Sequence, residues 1–539
     1  YFYRARPNYE LYPLRVRYLP TTALPPAAGG LTMRDDRLAA LLRDHTAIAH
    51  AAWFVPAEPE RSRIFAVRPE PGGGALAPTA VPPLLEPSAG PREAGMLGLV
   101  MGLAVLLSVG WLLNGATRLD ASFRADVPTR LALAWIVGSG ALAWEMTAVS
   151  LLDLRWSLPL LLAPWVPLLA LPGVRERCRI GSAPAAVLGP ADQTGLGLLA
   201  FAAVLTLTGA AIPLNAWHHW DGWNCWGFKA NTAAAAGGLP FAFLDDPLYR
   251  YTNPSYALGF PLVQVFLGLW TGGGGDSLLR ACGAGFHLSL AMLLARLLRE
   301  LGVTRGRWLL AGLYALVPKI LDYGTNGYAD LPVAAAGAAV LLLLVSDSSP
   351  LAVGLAAGCA ASLKNEGLVV AAAAFGFLGW RVARRRVSNR AFGAAALACA
   401  AVVLPWQGVV FTHGLPAHTQ AFSPGQLLGP GRGRALIALE GAALEALGPG
   451  VTLPALEQGA PAWPLWLPAQ RDGWVLLWFA VGAALLVRFR ELWAPRRRIV
   501  TGFLAFLAAV FVLVYAGSGY NLPWLLVTSL DRILVQLSP

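Results

Sequence analysis

Long apolar runs, each close to one membrane thickness, constrain the fold of this chain more than any other feature of its sequence. They lie at roughly 96–116, 131–152, 157–172, 195–214, 254–270, 277–298, 308–321, 331–345, 351–363, 366–380, 391–410, 473–487 and 499–516. Only 13% of the 539 residues are charged, whereas a soluble domain carries about 25%. This pattern predicts an all-α polytopic membrane protein.

Arginine-rich turns between the apolar runs predict which loops face the cytoplasm. The main clusters are at 175–179, 296–307, 381–390 and 488–498. Clusters on the same side must be separated by an even number of crossings, yet three apolar runs lie between the first two. The run 254–270 is short and contains Pro261 and Gln264. We therefore predict that it forms a juxtamembrane or re-entrant helix on the outer side.

The segment 351–380 is long enough for one straight helix, but it contains the charged motif "LKNEG". A single straight helix would place Lys364 and Glu366 in hydrocarbon, at a cost of about 2.5 kcal/mol or more for each charge. We therefore expect two crossings with a break at this motif. The complete count predicts about 12 transmembrane helices and gathers the unusual polar residues on the outer face.

Three regions follow from this organisation. Residues 1–94 are rich in arginine and proline and contain strand-like pieces such as "RIFAVRPEP", which predicts a small extracytoplasmic α/β segment ending in a Pro/Gly-rich linker. Residues 95–190 are expected to be accessory transmembrane helices. Residues 191–539 are expected to form the main transmembrane module, with long outer loops at 215–276 and 411–472.

Composition and motifs exclude several functional classes. The net charge of +11 comes from arginines in the short loops, and the aromatic, basic pattern of nucleic-acid-binding proteins is absent. Five cysteines are scattered without disulfide or metal spacing. Walker A, GxGxxG, HExxH and GxSxG patterns with the right context are absent, so nucleotide-, zinc- and serine-based chemistries have no support. Because the chain begins at Tyr1, we also expect a preceding segment.

The first outer loop opens with "NAWHHWDGWNCWGFKANTAAAAGG", residues 215–238. On an α-helix, one half of the surface would carry tryptophans, namely Trp217, Trp220, Trp223 and Trp226. The opposite half would carry polar or reactive side chains, namely His218, Asp221, Cys225 and Lys229. We expect the indoles to lie in the headgroup belt and Asp221 to face protein or water. The simpler alternative is an ordinary aromatic belt with a solvated aspartate.

The three lysines of the chain lie at outer loops or helix ends, close in sequence to acids. These lysine and acid positions are Lys229, Lys319, Lys364, Asp221, Asp330 and Glu366. An ammonium group can bind a phosphate as a rotating point charge. Two simpler alternatives remain open: Asp330 could be a helix-capping charge, and Lys364 and Glu366 could merely neutralise a turn.

Two further features could contribute to function: a possible metal site and an acid within an apolar run. Asp245 and Asp246 could hold a divalent metal ion or could simply be solvated, and His413 and His418 are a weak metal signal. We therefore assign no metal ligand and leave a divalent metal open. Glu145 lies inside the run 131–152, and an acid at that depth is by default a functional candidate.

Five pieces of the sequence, taken in order, carry a family resemblance. They are "WDGWNCWGFKA", "PSYALGFPL", "GYADLP", "LKNEGL" and "TSLDRILVQLSP". Together they resemble the GT-C superfamily of membrane glycosyltransferases, over about residues 195–539. The likeness is nearest to bacterial proteins grouped with the protein O-mannosyltransferase and lipid A aminoarabinose transferase families. Asp221 is followed by Gly222, so the acidic "DE" pair of the O-mannosyltransferases is absent, which argues against a protein mannosyltransferase in particular.

The resemblance implies a reaction and a set of roles. A sugar would pass, with inversion, from a polyprenyl-phosphate-linked donor to a glycan, lipid or protein acceptor at the extracytoplasmic face of the inner (plasma) membrane. Asp221 would act as general base or position the acceptor hydroxyl, and Asp330 would support the same site. Lys229 and Arg250 would hold the donor phosphate. We also expect Lys364 to contact the phosphate. The residues expected to contact substrate are His218, Tyr256, Asn365 and Glu366.

Two other functional classes remain open at this point. A polytopic transporter or lipid flippase would hold its charges near the bilayer midplane on broken helices, and Glu145 and the break at Lys364 keep that option. A non-catalytic membrane protein of envelope assembly is the second alternative. Substitution of Asp221 by asparagine should separate these classes, because only a transferase should lose turnover while still inserting and binding lipid.

Overall fold

The computed structural model of the protein describes residues 66–68, 77–79, 93–119, 121–124, 126–179, 188–211, 221–245, 252–272, 280–415, 435–439, 491, 493–517 and 532–538. The helices of its first half are α1 (Glu93–Thr117), α2 (Val127–Leu151), α3 (Leu158–Leu162), α4 (Val166–Ala170), α5 (Pro172–Cys178), α6 (Pro190–Ala211), α7 (Phe228–Ala236), α8 (Phe241–Asp245) and α9 (Gly259–Thr271). The helices of its second half are α10 (Cys282–Glu300), α11 (Arg307–Ala315), α12 (Pro318–Thr325), α13 (Asp330–Val345), α14 (Pro350–Leu363), α15 (Gly367–Ala383), α16 (Asn389–Thr412) and α17 (Pro495–Gly517). A π-helix, Asp221–Gly227, leads into α7, and residues 435–439 and 532–537 are also helical.

Short 3₁₀ turns lie at Ala121–Phe123 and Ala163–Trp165. Two short strands, β1 (Ala66–Arg68) and β2 (Ala77–Thr79), pair antiparallel. The first strand lies within the strand-like "RIFAVRPEP", whereas the second lies in the Pro/Gly-rich stretch that the sequence predicted to be a linker. The remainder of the predicted α/β segment lies outside the described residues.

Within the described residues, six helices are long and apolar enough to cross a membrane. The number of candidate spans in these residues rises to eight if each of two bent helix pairs counts as one span. The six are in α1, α2, α6, α10, α16 and α17. The protein therefore has the helices of a multi-pass membrane protein, as predicted. The finer count of about 12 crossings stays a prediction, and the run 473–487 lies outside the described residues.

Two of the predicted apolar runs are not single straight helices, because prolines interrupt them. The run 157–172 is divided into α3, a 3₁₀ turn and α4, and the chain then bends by 90° into α5. The run 308–321 breaks where α12 starts at Pro318, and α12 meets α13 at an angle of 109°. Proline lacks the backbone N–H of a helix interior, and its ring clashes with the preceding turn, so it begins a new helix instead of continuing one.

Helix α13 forms the centre of the fold. Every residue from Asp330 to Val345 is buried, and the helix packs against α10, α14, α15 and α17. A helix that is apolar on all sides must be surrounded by protein or lipid. Its first residue, Asp330, is therefore fixed inside the protein at a helix end.

Helix α9 and the turn between α14 and α15 bring a second part of the chain to the same end of the fold. Helix α9 has 13 residues, which span about 20 Å, less than the roughly 30 Å of a hydrocarbon core. A Cβ at Gly259 would lie 2.3 Å from the Ser362 carbonyl oxygen, so only glycine lets α9 start against this turn. The predicted break at "LKNEG" is confirmed, because α14 ends at Leu363 and α15 starts at Gly367.

Candidate functional site

The first predicted outer loop contains a π-helix, Asp221–Gly227, that passes into α7. A π-helix is wider than an α-helix because its hydrogen bonds join residues i and i+5, so side chains point in directions that an α-helical period does not predict. Trp226 is buried and stacks on Tyr256, with 5.8 Å between the ring centroids. The expectation that Trp226 belongs to a headgroup belt, on the face opposite Lys229, was therefore wrong.

Lys229 lies against these two rings. Its Nζ atom is 5.3 Å from the Trp226 ring centroid and 5.6 Å from that of Tyr256. It also donates a 2.7 Å hydrogen bond to the Asn253 carbonyl oxygen. Burial lowers the pKa of the Lys229 ammonium group, while Cys225 and Asp221 act in the opposite direction. The Lys229 amino group is thus buried near Asp221 and is not on an open rim.

Cys225, on the preceding turn, is a thiol donor and not an anion. Burial raises its pKa to about 11, and its Sγ atom donates to the Thr252 carbonyl oxygen at 2.9 Å. This bond and the bond from Lys229 attach the π-helix and α7 to residues 252–253. The segment before α9 is thereby held against the first outer loop.

The loop that precedes α13 packs directly on Asp221 and Gly222. A Cβ at Gly222 would lie 1.9 Å from the Asn326 carbonyl oxygen, so the two backbones approach as closely as glycine permits. The backbone N–H of Asp221 donates to the Tyr328 hydroxyl oxygen at 3.4 Å. Burial, followed by the field of Asp221, raises the pKa of Tyr328, which keeps this hydroxyl neutral.

Asp330, Lys364 and Glu366 form a chain of ion pairs. The Lys364 Nζ atom lies 2.9 Å from Asp330 Oδ1 and 2.7 Å from Glu366 Oε1. The side chain of Asp330 is fully buried, and that of Lys364 is 5% exposed. One oxygen of each carboxylate, Asp330 Oδ2 and Glu366 Oε2, is buried and has no hydrogen-bond partner among the described residues. Buried polar atoms of this kind are rare in proteins.

The C-terminal helical segment 532–537 completes the arrangement. The Arg532 Nη1 atom forms an ion pair with Asp221 Oδ2, and the guanidinium lies over the Tyr328 ring, 5.4 Å from its centroid. One turn further along, Gln536 Nε2 donates to Asp330 Oδ1 at 2.8 Å. We call Asp221, Asp330, Lys364, Glu366 and Arg532 the ionic cluster.

Electrostatics shows that the two aspartates share one environment. Burial disfavours a charged guanidinium, but the carboxylates of Asp221 and Asp330 outweigh it and hold the pKa of Arg532 well above its ordinary value. Burial also disfavours the charge on Lys364, and Asp330 and Glu366 again outweigh it, so the pKa of Lys364 is raised. Both cations therefore stay charged at neutral pH. The structure thus brings together the two acids that the sequence singled out.

The other predicted site residues are placed differently. Asn365 Oδ1 accepts a hydrogen bond from the backbone N–H of Ala257 at 3.2 Å, which ties the turn to the start of α9 and gives Asn365 a positioning contact. Tyr256 packs against both Trp226 and Lys229. His218 and Arg250 lie outside the described residues.

The candidates for metal binding do not assemble into a ligand set. Among the described residues, no three His, Cys, Asp or Glu side chains come together in a way that could hold a metal ion. Asp245 Oδ2 instead lies 3.0 Å from His413 Nδ1, whereas Asp246 and His418 are not described. Glu145, for which the sequence suggested no partner, accepts a 2.9 Å hydrogen bond from Trp165 Nε1. Trp165 is not a member of the ionic cluster.

Sequence reasoning missed Arg532, Gln536 and Tyr328 as site residues. The motif "TSLDRILVQLSP" entered only as part of the family resemblance. Arg532 and Gln536 are four residues apart in an otherwise apolar stretch, and this spacing places two side chains on one helix face. That signal could have marked them, although it does not indicate which acids they would meet.

Comparisons of the chain with protein-family models, with curated proteins and with solved structures found no match. The function therefore has to be inferred from the chemistry of the site.

Proposed function

We propose that the protein is a GT-C-like integral-membrane glycosyltransferase of the inner (plasma) membrane. It would move a sugar from a polyprenyl-phosphate-linked donor to an acceptor hydroxyl on the extracytoplasmic face, with inversion. The observation that carries the proposal is the convergence of Asp221, Asp330, Lys364 and Arg532 at one end of a helical membrane bundle. Glycosyl transfer needs such a combination of a base for the acceptor oxygen and cations for the leaving phosphate.

Exposure separates the roles of the two aspartates. Asp221 is 27% exposed at its side chain, so an acceptor hydroxyl can reach it. Asp330 is fully buried and accepts hydrogen bonds from Lys364 and Gln536 at the same oxygen. A carboxylate held in this way is a poor base, because donors to the charged form stabilise it. We therefore assign Asp221 as the general base and Asp330 as the residue that positions Lys364.

The reaction follows from these assignments. Asp221 takes the proton of the acceptor hydroxyl while the acceptor oxygen forms a bond to the anomeric carbon of the sugar. The bond between that carbon and the phosphate oxygen breaks, and its electron pair stays on the phosphate. The products are the glycosylated acceptor and polyprenyl phosphate, whose charge Lys364 and Arg532 are placed to stabilise. Lys229 is more deeply buried and holds the segment before α9 through its hydrogen bond to the Asn253 carbonyl oxygen.

The topology proposed with this function is about 12 crossings, a soluble extracytoplasmic segment over residues 1–94 and a re-entrant α9. The length of α9 supports the last point, as does its burial against α1, α2 and α7. Irregular backbone at membrane depth is tolerated only where protein or water surrounds it.

The test compares Asp221→Asn with the matched control Asp245→Asn in purified protein. Asp245 is also an acid at a loop near a helix end, but it pairs with His413 and not with the cluster. We expect Asp221→Asn to reduce transfer from polyprenyl-linked sugars by about 100-fold or more, the scale of general-base catalysis, and Asp245→Asn to leave it unchanged. Full turnover in Asp221→Asn would refute the assigned base, and absence of transfer by the wild type would refute the function.

A transporter or lipid flippase is the second candidate, because the 109° bend between α12 and α13 places Asp330 at a broken helix. Discontinuous helices with charges at their ends are typical of transporters. Reconstituted vesicles distinguish the two classes. A transporter moves its solute or lipid across the bilayer without forming a glycosidic bond, whereas the proposed transferase forms the bond on one face.

A further inference from the structure

The cations of the ionic cluster present a problem for any anionic ligand. Within the part of the chain that the structure describes, each cation near the two aspartates already contacts an acceptor. Lys364 lies between Asp330 and Glu366, Lys229 donates to the Asn253 carbonyl oxygen, and Arg532 pairs with Asp221. A phosphate that enters this site must therefore share or take a cation that already has a partner.

Exposure and bonding indicate which cation can be taken. Lys364 is 5% exposed and is held by two carboxylates, and Lys229 is fully enclosed by Trp226 and Tyr256. Arg532 is 17% exposed at its side chain, and its partner Asp221 is the most exposed acid in the cluster. A guanidinium presents five N–H donors in a planar fork that fits a phosphate as well as a carboxylate. The Arg532–Asp221 pair is thus the contact that a phosphate monoester can reach and exchange.

We infer that the Arg532–Asp221 ion pair is an exchangeable lock, in which the donor phosphate competes with Asp221 for Arg532. This inference rests on the proposed function and adds a regulatory step to the same site. Without donor, the Arg532 guanidinium occupies Asp221 Oδ2, so an acceptor hydroxyl must compete with it for that oxygen. When the phosphate takes Arg532, Asp221 loses its cation and becomes free to accept the proton of an acceptor hydroxyl.

The positions of the neighbouring groups support an exchange over a short distance. Tyr328 contacts both sides of the pair, since its hydroxyl accepts from the backbone of Asp221 and its ring lies under Arg532. The helical segment of Arg532 is also attached through Gln536 to Asp330. Arg532 therefore does not need to leave the cluster to change partners.

The lock makes an unusual prediction about binding. Asp221→Asn removes the carboxylate that competes for Arg532, so it should tighten binding of a polyprenyl monophosphate while it abolishes transfer. Arg532→Gln should weaken the same binding by about tenfold or more, the scale of one charge-assisted hydrogen bond. Arg532→Lys should bind more tightly than Arg532→Gln, because it keeps the charge but loses the fork.

The experiment measures affinity of the full chain in detergent for a polyprenyl monophosphate and, as a control, for the same polyprenol without phosphate. Melting curves of each variant show that it is folded. Tighter phosphate binding in Asp221→Asn, with unchanged polyprenol binding, supports the lock. Unchanged or weaker phosphate binding in Asp221→Asn overturns it, as does unchanged binding in Arg532→Gln.

Measurement of wild-type turnover distinguishes a failure of this inference from a failure of the proposed function. If the wild type transfers no sugar but the binding pattern holds, the transferase proposal fails and the phosphate-exchange site stands. If the wild type transfers sugar but Asp221→Asn does not bind phosphate more tightly, the transferase proposal stands and the lock fails.

Discussion

At the scale of single residues, Lys364 shows how a buried charge depends on its partners. It is nearly inaccessible and contacts two carboxylates, of which Asp330 is fully buried. Taking charges out of water is expensive, and removal of one partner leaves the other charge uncompensated. Asp330, whose second oxygen has no hydrogen-bond partner in the part of the chain that the structure describes, would be the residue left in that state.

We therefore expect Lys364→Met to lower the free energy of unfolding by about 3–5 kcal/mol. The double variant Asp330→Asn with Lys364→Met should recover most of this loss, because no fully buried carboxylate is left without its cation. Denaturation in detergent measures Lys364→Met, Asp330→Asn and the double variant. The control Arg386→Met, at an exposed cation, should change stability by no more than about 0.5 kcal/mol. A double variant that loses the sum of the single losses would show that the two side chains are not coupled.

The same reasoning applies to Gln536, which donates to the same oxygen of Asp330 as Lys364. Gln536→Leu leaves this acceptor with one donor instead of two. We expect a smaller loss, about 1–2 kcal/mol, measured in the same denaturation experiment, together with reduced transfer because the segment of Arg532 is less firmly anchored. Gln536→Glu should be worse than Gln536→Leu, since it adds a second carboxylate. The reverse order would contradict the assigned contact.

At the scale of elements, the site is built where helices begin or break. Asp330 begins α13, Lys364 lies in the turn between α14 and α15, and Asp221 begins a π-helix. Prolines and glycines create these breaks because they cannot continue a helix or because they allow a close backbone approach. Gly222 is the clearest case, since it lets the first outer loop contact the backbone of Asn326.

Gly222→Ala tests this contact. The added Cβ would lie 1.9 Å from the Asn326 carbonyl oxygen, so the two loops must separate, at a cost of about 1–3 kcal/mol. We expect lower thermal stability and reduced transfer, because Asp221 would move away from Tyr328. The matched control is Gly376→Ala, where a Cβ meets no atom within 4 Å. Equal effects of the two substitutions would remove the argument for a close approach at Gly222.

At the scale of the whole molecule, charge asymmetry predicts an orientation in the membrane. The arginine-rich turns lie at the ends of α10, α15 and α17, whereas the ionic cluster lies where α13 begins and α14 ends. The positive-inside rule places the former in the cytoplasm. The cluster would then face the extracytoplasmic side, where a lipid-linked donor is available to it.

Accessibility of introduced cysteines tests the orientation. We expect Ala236→Cys, at the end of α7, to react with a membrane-impermeant thiol reagent in intact cells. Arg386→Cys, in the turn after α15, should react only after the membrane is permeabilised. Both positions are exposed. The unsubstituted chain is the control, because it measures the background labelling of the native cysteines. Among these, Cys178 is the most exposed in the described residues. Labelling of both positions from the same side would contradict the topology.

Local features of the sequence were enough to predict a multi-pass helical protein and several of its helix breaks. Apolar run length indicated the multi-pass helical bundle, because a helix that crosses hydrocarbon must satisfy its backbone internally and expose apolar side chains. The cost of burying Lys364 and Glu366 indicated the break between α14 and α15. These are local properties, since they depend on residues that are neighbours along the chain.

Only the tertiary structure decided which charges meet. Arg532 is 311 positions from Asp221 along the chain, and no local pattern indicates that these two residues form an ion pair. The α-helical period placed Trp226 on the wrong face, because the packing of the first outer loop against the Tyr256 segment and α9 accompanies a π-helix there. Contacts between distant segments depend on how the helices pack, and this packing is a property of the whole chain.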